Sequence, residues 1–165
     1  VVSQGPIVSR DPGFVKFSCR YRLRVTNQSV IPSSRILLDY NNDVAVVSIG
    51  NAEIKQIEAD SVQLSSSDVQ IKQEVDVFGF HGGPLQQLVR GVVAAVEPGY
   101  FTINTTVHPG NSGGPVLDGN GELLGIVQRV DSNATYCLKA SRLREAVLSF
   151  EQKATPYQDG RQECF

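Results

Sequence analysis

The run Val107-His108-Pro109-Gly110-Asn111-Ser112-Gly113-Gly114-Pro115-Val116-Leu117 holds a serine flanked by glycines and closed by a proline. Glycine is tolerated where the backbone takes a positive φ or passes close to another group. A serine on such a turn can aim its hydroxyl at a substrate. The N–H groups of Gly110 and Ser112 can then hold a developing oxyanion. The bland alternative is a glycine-rich hairpin turn with an exposed serine. A serine hydroxyl is a poor nucleophile without a base in hydrogen-bond reach. The chain's two histidines are His81 and His108. His81 opens a His-Gly-Gly-Pro turn and reads as a solvent-exposed turn residue. Asp43 opens the apolar run Val44-Ala45-Val46-Val47, and a carboxylate buried there needs a partner; otherwise it belongs to the preceding turn.

The elements that would position these groups are strands. Residues 5–9 and 14–25 flank the turn Arg10-Asp11-Pro12-Gly13 and read as a hairpin. Arg20, Arg22 and Arg24 alternate with Tyr21, Leu23 and Val25, which places three guanidiniums on one strand face, read here as a solvated face. A strand at 35–40, a turn at Asn41-Asn42 and a strand from Asp43 to Ile49 follow. Residues 50–73 are polar and read as a connection, with a short strand at 61–64. Glu74-Val-Asp-Val-Phe-Gly-Phe alternates with period two. Further strands fall at 87–96 and 100–105, and the stretches 114–117 and 122–127 flank the turn Asp118-Gly119-Asn120-Gly121; Tyr136 to Ala140 resembles a following strand. Ser141 is placed to N-cap a helix carrying Leu143, Ala146, Val147 and Phe150. Residues 151–165 form a polar tail.

The 165 residues are 41% hydrophobic and 19% charged, which suits one compact unit or two small barrels and not a disordered chain. A net charge of −2 gives no field for nucleic acid. No apolar run approaches the roughly 20 residues that span a bilayer. With no methionine and no signal peptide, the chain is expected to follow a removed segment or to be a piece of a longer protein. Cys19, Cys137 and Cys164 fit no zinc spacing and read as isolated thiols. No metal and no cofactor is expected. Asn27, Asn104 and Asn133 match the glycosylation acceptor pattern, which has meaning only in a secretory compartment.

The motif H-P-G-N-S-G-G-P resembles the nucleophile loop of trypsin-like serine proteases, nearest to their HtrA (Deg) branch with N-P-G-N-S-G-G-P. Asp43-Val-Ala-Val-Val is similar to the D-I-A-L stretch that carries the family's triad aspartate. Gly114-Pro115-Val116-Leu117 through Ile126-Val127 is similar to the family hairpin after the nucleophile. Gly5 to Asp11 and Gly13-Phe14-Val15 resemble the strands before the catalytic histidine. The resemblance covers about residues 5–150. It implies an all-β fold of two antiparallel six-stranded barrels, the first shortened, with a short C-terminal helix. The first barrel would span 1–60, the second 74–150, and 151–165 would be the tail.

The same resemblance implies Ser112 as nucleophile, Asp43 as triad aspartate, and Gly110 and Ser112 as the oxyanion hole. In register, Arg20 falls on the histidine, and a slip of one residue would put Tyr21 there. Arginine, with a pKa above about 12, is never a base at neutral pH. An Arg20–Asp43 ion pair would then stand where the His–Asp pair stands in the family. The specificity pocket would be lined by His108, Ile126, Val127 and Gln128. No aspartate stands in 106–111, so small or aliphatic side chains fit better than Lys or Arg. Asn111 replaces the aspartate that binds a freed N-terminus in trypsins, so Val1 is not expected to switch the loop. The expected function is a catalytically inactive protease domain that binds a peptide or protein as a scaffolding module. The alternative is an active serine endopeptidase with another base, His108 included. Protein or peptide partners are expected, with no nucleic acid and no membrane span, and further domains or chains are compatible with this piece.

Overall fold

The structure is a computed structural model. It describes residues 6–11, 14–19, 22–24, 30–32, 35–39, 41–48, 61–79, 87–105, 107–131 and 134–153. The chain divides into two compact units. One comprises residues 1–38, 45–60 and 149–165, the other 39–44 and 61–148.

In the first unit, β1 (Pro6–Asp11) and β2 (Phe14–Cys19) pair antiparallel from Pro6↔Cys19 to Asp11↔Phe14. Pro12-Gly13 stands between the two strands in the sequence. β3 (Arg22–Arg24) pairs with β4 (Val30–Pro32). The third pairing joins β5 (Arg35–Asp39) to β6 (Val44–Ser48). Among the described residues these six strands pair two by two, and the only closed barrel is in the second unit.

That barrel runs β10–β11–β12–β9–β8–β7, closing β7 onto β10. Its strands are β7 (Glu74–Gly79), β8 (Gln87–Val96), β9 (Tyr100–Ile103), β10 (Pro115–Leu117), β11 (Leu123–Val130) and β12 (Thr135–Lys139). Alternation explains the inner face. In β7, Val75 and Val77 are buried while Glu74 is exposed, and in β9 Phe101 and Ile103 are buried between Tyr100 and Thr102. Val93, Val107, Val116, Leu124 and Val127 complete the core. Each such aliphatic or aromatic side chain contributes about 1.5–3 kcal/mol on burial. The all-β class is as expected, and residues 61–64 contribute a parallel bridge, Leu64 to Leu123.

The helix α1 (Ala140–Lys153) follows β12 without a linker. It therefore starts one residue before Ser141, which lies inside the first turn and not at its cap. Leu143, Ala146 and Phe150 are buried along one stripe, as their spacing dictates. Arg144 donates to the carbonyls of Leu64 and Ser65 at 3.4 and 2.9 Å. Residues 151–153, expected in the tail, are helical. Among the described residues no helix is long and apolar enough to cross a membrane.

Cys137 lies in the core as a free thiol, opposite Phe101 on one side and Val127 on the other. Burial pushes its pKa up from 9.0 to about 12. The neutral thiol is favoured in the fold. Its contribution to stability is complete below pH 9 and is lost as pH rises toward 12. At pH 8 the thiolate fraction falls about 1000-fold against an ordinary thiol, and the thiolate is the nucleophile. Iodoacetamide is therefore expected to modify Cys137 about 1000-fold more slowly than an exposed cysteine until the protein is unfolded. Site-resolved mass spectrometry of the alkylated chain measures this, and rapid native labelling would place the thiol elsewhere. The side chains of Cys19 and Cys164 lie outside the described residues.

Candidate active site

The loop ahead of Ser112 is anchored from below. Thr135 is fully buried, and its hydroxyl donates to the Thr105 carbonyl (2.7 Å) and accepts from the Val107 N–H (3.3 Å). This pins the approach to the loop onto β12. The Asn111 N–H then donates to the His108 carbonyl (3.1 Å), turning the chain. Gly110 and Gly113 have φ of 104° and 80°. L residues reach such values at a cost of about 1–2 kcal/mol, so the two glycines around Ser112 are conformational requirements. The exit is sewn to β11, with the Gly113 N–H on the Val127 carbonyl (2.7 Å) and the Val127 N–H on the Gly114 carbonyl (2.9 Å).

Ser112 is exposed at the crest of this turn. Neither its own N–H nor that of Gly110 has a hydrogen-bond partner among the described residues. Two backbone donors, on either side of Asn111, are thus unpaired among the described residues. Donors fixed by the fold act on a developing oxyanion without reorganisation.

Asn111, between these donors, is 1% exposed, and its Oδ1 has no hydrogen-bond partner. Its side chain packs on Gly79, where an added Cβ would lie 2.2 Å from that oxygen. An unsatisfied buried amide oxygen costs about 1–3 kcal/mol. A carboxylate buried in the same place would cost more unless a cation paired with it. The burial of this residue had no signal in the sequence beyond its neighbours.

Asp43 ends the turn before β6 and does not open the strand itself. It is exposed, with φ of 51°, a region that aspartate tolerates better than most residues. The turn is organised by Asp39, whose carboxylate accepts the N–H groups of Asn41 (3.1 Å) and Asn42 (3.2 Å) and the Asn42 side-chain amide (2.7 Å). An Asp whose carboxylate can reach the N–H groups two and three residues on, as in Asp39-Tyr40-Asn41-Asn42, is a turn signal of its own. Gln128 of β11 donates through Nε2 to the Asn42 carbonyl. Val127 thus holds the loop behind Ser112, and its neighbour Gln128 holds the residue before Asp43. One strand positions both.

The expected pocket residues separate. His108 is exposed, and Ile126 and Gln128 are half-buried. Val127 is a correction: its side chain is 1% exposed in the barrel core, so it offers backbone and no pocket wall. Alternation forbids neighbouring strand residues from sharing a face unless a bulge intervenes. Arg20, Tyr21 and His81 lie outside the described residues, and so does an Arg20–Asp43 pairing.

Comparisons with known proteins agree with this architecture. The sequence pattern of the trypsin-like peptidase domain matches residues 2–126. A curated relative, the uncharacterized protein y4bJ of Sinorhizobium fredii (strain NBRC 101917 / NGR234), is 24% identical over 177 aligned residues, covering 91% of this chain and 26% of its own length. The chain therefore spans about a quarter of that relative. Among solved structures, the Rv3671c protease of M. tuberculosis in its active form superposes with a TM-score of 0.66 at 19% identity, over 86% of this chain and 67% of that one. A serine-to-alanine mutant of Rv3671c from M. tuberculosis H37Rv, in the inactive form, gives 0.64 at 16% identity, over 84% and 73%. At these identities the likeness is one of fold.

Proposed function

The chain belongs to the trypsin-like peptidase domain family, and we propose that residues 1–150 form a peptide-binding domain on this serine protease frame, without the general base that proteolysis needs. The observation that carries the reading is a disparity within one site. The Ser112 loop keeps two unpaired N–H donors, while the chain has no histidine before Asp43. In the family's chymotrypsin-type chain order the histidine precedes the aspartate and the serine follows. Register offers Arg20 or Tyr21 in that place, and neither is a base near neutral pH.

Peptide binding draws on a second feature. β10 pairs with β11 only as far as Ile126. Past Val127, β11 has no partner strand on that side among the described residues. An exposed strand edge accepts an extended peptide through main-chain hydrogen bonds. A peptide added there would run past Ser112. In this reading the protein acts as a binding or scaffolding module.

The rival is an active endopeptidase, favoured by the open oxyanion donors, with His108 or a group outside these residues as base. A fluorophosphonate probe separates the two, with Ser112→Ala as control. The expected result is no adduct on Ser112 by mass spectrometry and no peptide hydrolysis above the control. Stoichiometric labelling with turnover would establish the endopeptidase.

A further inference from the structure

Strand β11 carries a bulge, where Gln128 and Arg129 together oppose Tyr136 of β12. A bulge breaks the strict alternation of faces and re-aims the side chains beside it. Both residues consequently line one cavity of about 470 Å³, together with Glu97, Tyr100, Thr102 and Tyr136. The Glu97 N–H donates to the Tyr100 carbonyl (2.8 Å), closing the β8–β9 turn that forms one wall. Arg129 is exposed, and its guanidinium carbon stands 4.2 Å from the centre of the Tyr136 ring. Stacking fixes the guanidinium plane and leaves its N–H edge available. The ion pairs among the described residues are Arg90–Asp76 and Arg142–Glu145, so Arg129 has no carboxylate partner there, Glu97 included. The Gln128 amide nitrogen is already engaged with Asn42.

We propose that this cavity is a side-chain subsite for a carboxylate, an aspartate or glutamate of a peptide laid along β11. The proposal rests on the peptide-binding reading above. A planar guanidinium held on a ring is built for two-point binding of a carboxylate. Val127 abuts the nucleophile loop, and Arg129 follows it at roughly 7 Å along an extended chain. The acidic residue therefore sits about two or three positions from the residue over Ser112.

The test uses fluorescein-labelled, end-blocked eight-residue peptides of alanine and threonine. A single glutamate is moved through each position, with glutamine and lysine sets to match, and binding to the full chain is read by fluorescence polarisation. The expected result is one register in which the glutamate peptide binds at least fivefold tighter than its glutamine and lysine counterparts. Arg129→Gln abolishes the difference, Arg129→Lys reduces it, and Glu97→Gln enlarges it, all with unchanged circular dichroism. Equal affinity for glutamate and glutamine peptides overturns the subsite and leaves peptide binding standing. A preference that survives Arg129→Gln does the same. Failure of every peptide to bind overturns the underlying reading and the subsite with it.

Discussion

Adding one methyl group at residue 114 is expected to lower the unfolding midpoint by roughly 6–12 °C. A Cβ on Gly114 would lie 2.2 Å from the Phe78 carbonyl oxygen and 2.7 Å from that of Asn111. Both neighbours are backbone, so no rotamer change relieves the overlap. Forced overpacking of this kind costs about 3 kcal/mol, at the upper end of its usual range. For a chain of this size each kcal/mol moves the midpoint by about 2–4 °C. Gly113→Ala is the internal comparison. Its Cβ would meet nothing within 4 Å, so only the positive φ of 80° is penalised, by about 1–2 kcal/mol. Calorimetry of the two variants should rank Gly114→Ala well below Gly113→Ala. The reverse order would mean that Gly114 does not lie against the Phe78 carbonyl.

The second large effect is a gain. Arg20→His is expected to raise fluorophosphonate labelling of Ser112 by about 10²- to 10⁴-fold, the usual contribution of a positioned general base. Strand β2 ends at Cys19, so residue 20 is the first beyond it, in the place where register sets the family's histidine. Tyr21→His is the matched variant for a slip of one residue. Only one of the two should respond, and Ser112→Ala in the responding background should remove the signal. If both stay silent, the proposal that a histidine at either place restores a base is overturned, and the exposed Asp43 with its left-handed backbone becomes the next residue to change.

What could be read in advance followed local rules. The strand β7 shows itself by alternation, and the β10–β11 hairpin by Asp118-Gly119-Asn120-Gly121 between apolar runs. The serine loop was legible because glycine has few substitutes at positive φ. Other features depend on pairs of residues far apart in the chain. Nothing local in Leu123–Val130 announces that Gln128 and Arg129 share one partner, yet that bulge decides which side chains reach the cavity. Asp43 was expected on the strand because the apolar run starts beside it. The turn claims it instead, since Asp39 had already ordered Asn41 and Asn42. Val127 and Gln128 were both expected in the pocket, although period two alone would have sent one of them inward.

The hydrogen bond from Gln128 to Asn42 joins residues 86 apart in sequence. Closing a loop of that length costs chain entropy before any contact compensates it. Contacts of such separation slow folding, because that entropy must be lost before they form. The turn that presents Ser112 is closed between nearer residues, from His108 to Val127, with Thr135 and Gly79 holding it from β12 and β7. The turn carrying Asp43 is therefore expected to be clasped to the barrel after the serine loop is assembled, and pulse-labelled hydrogen exchange during refolding should show Gly113 and Val127 protected before Asn41 and Asn42.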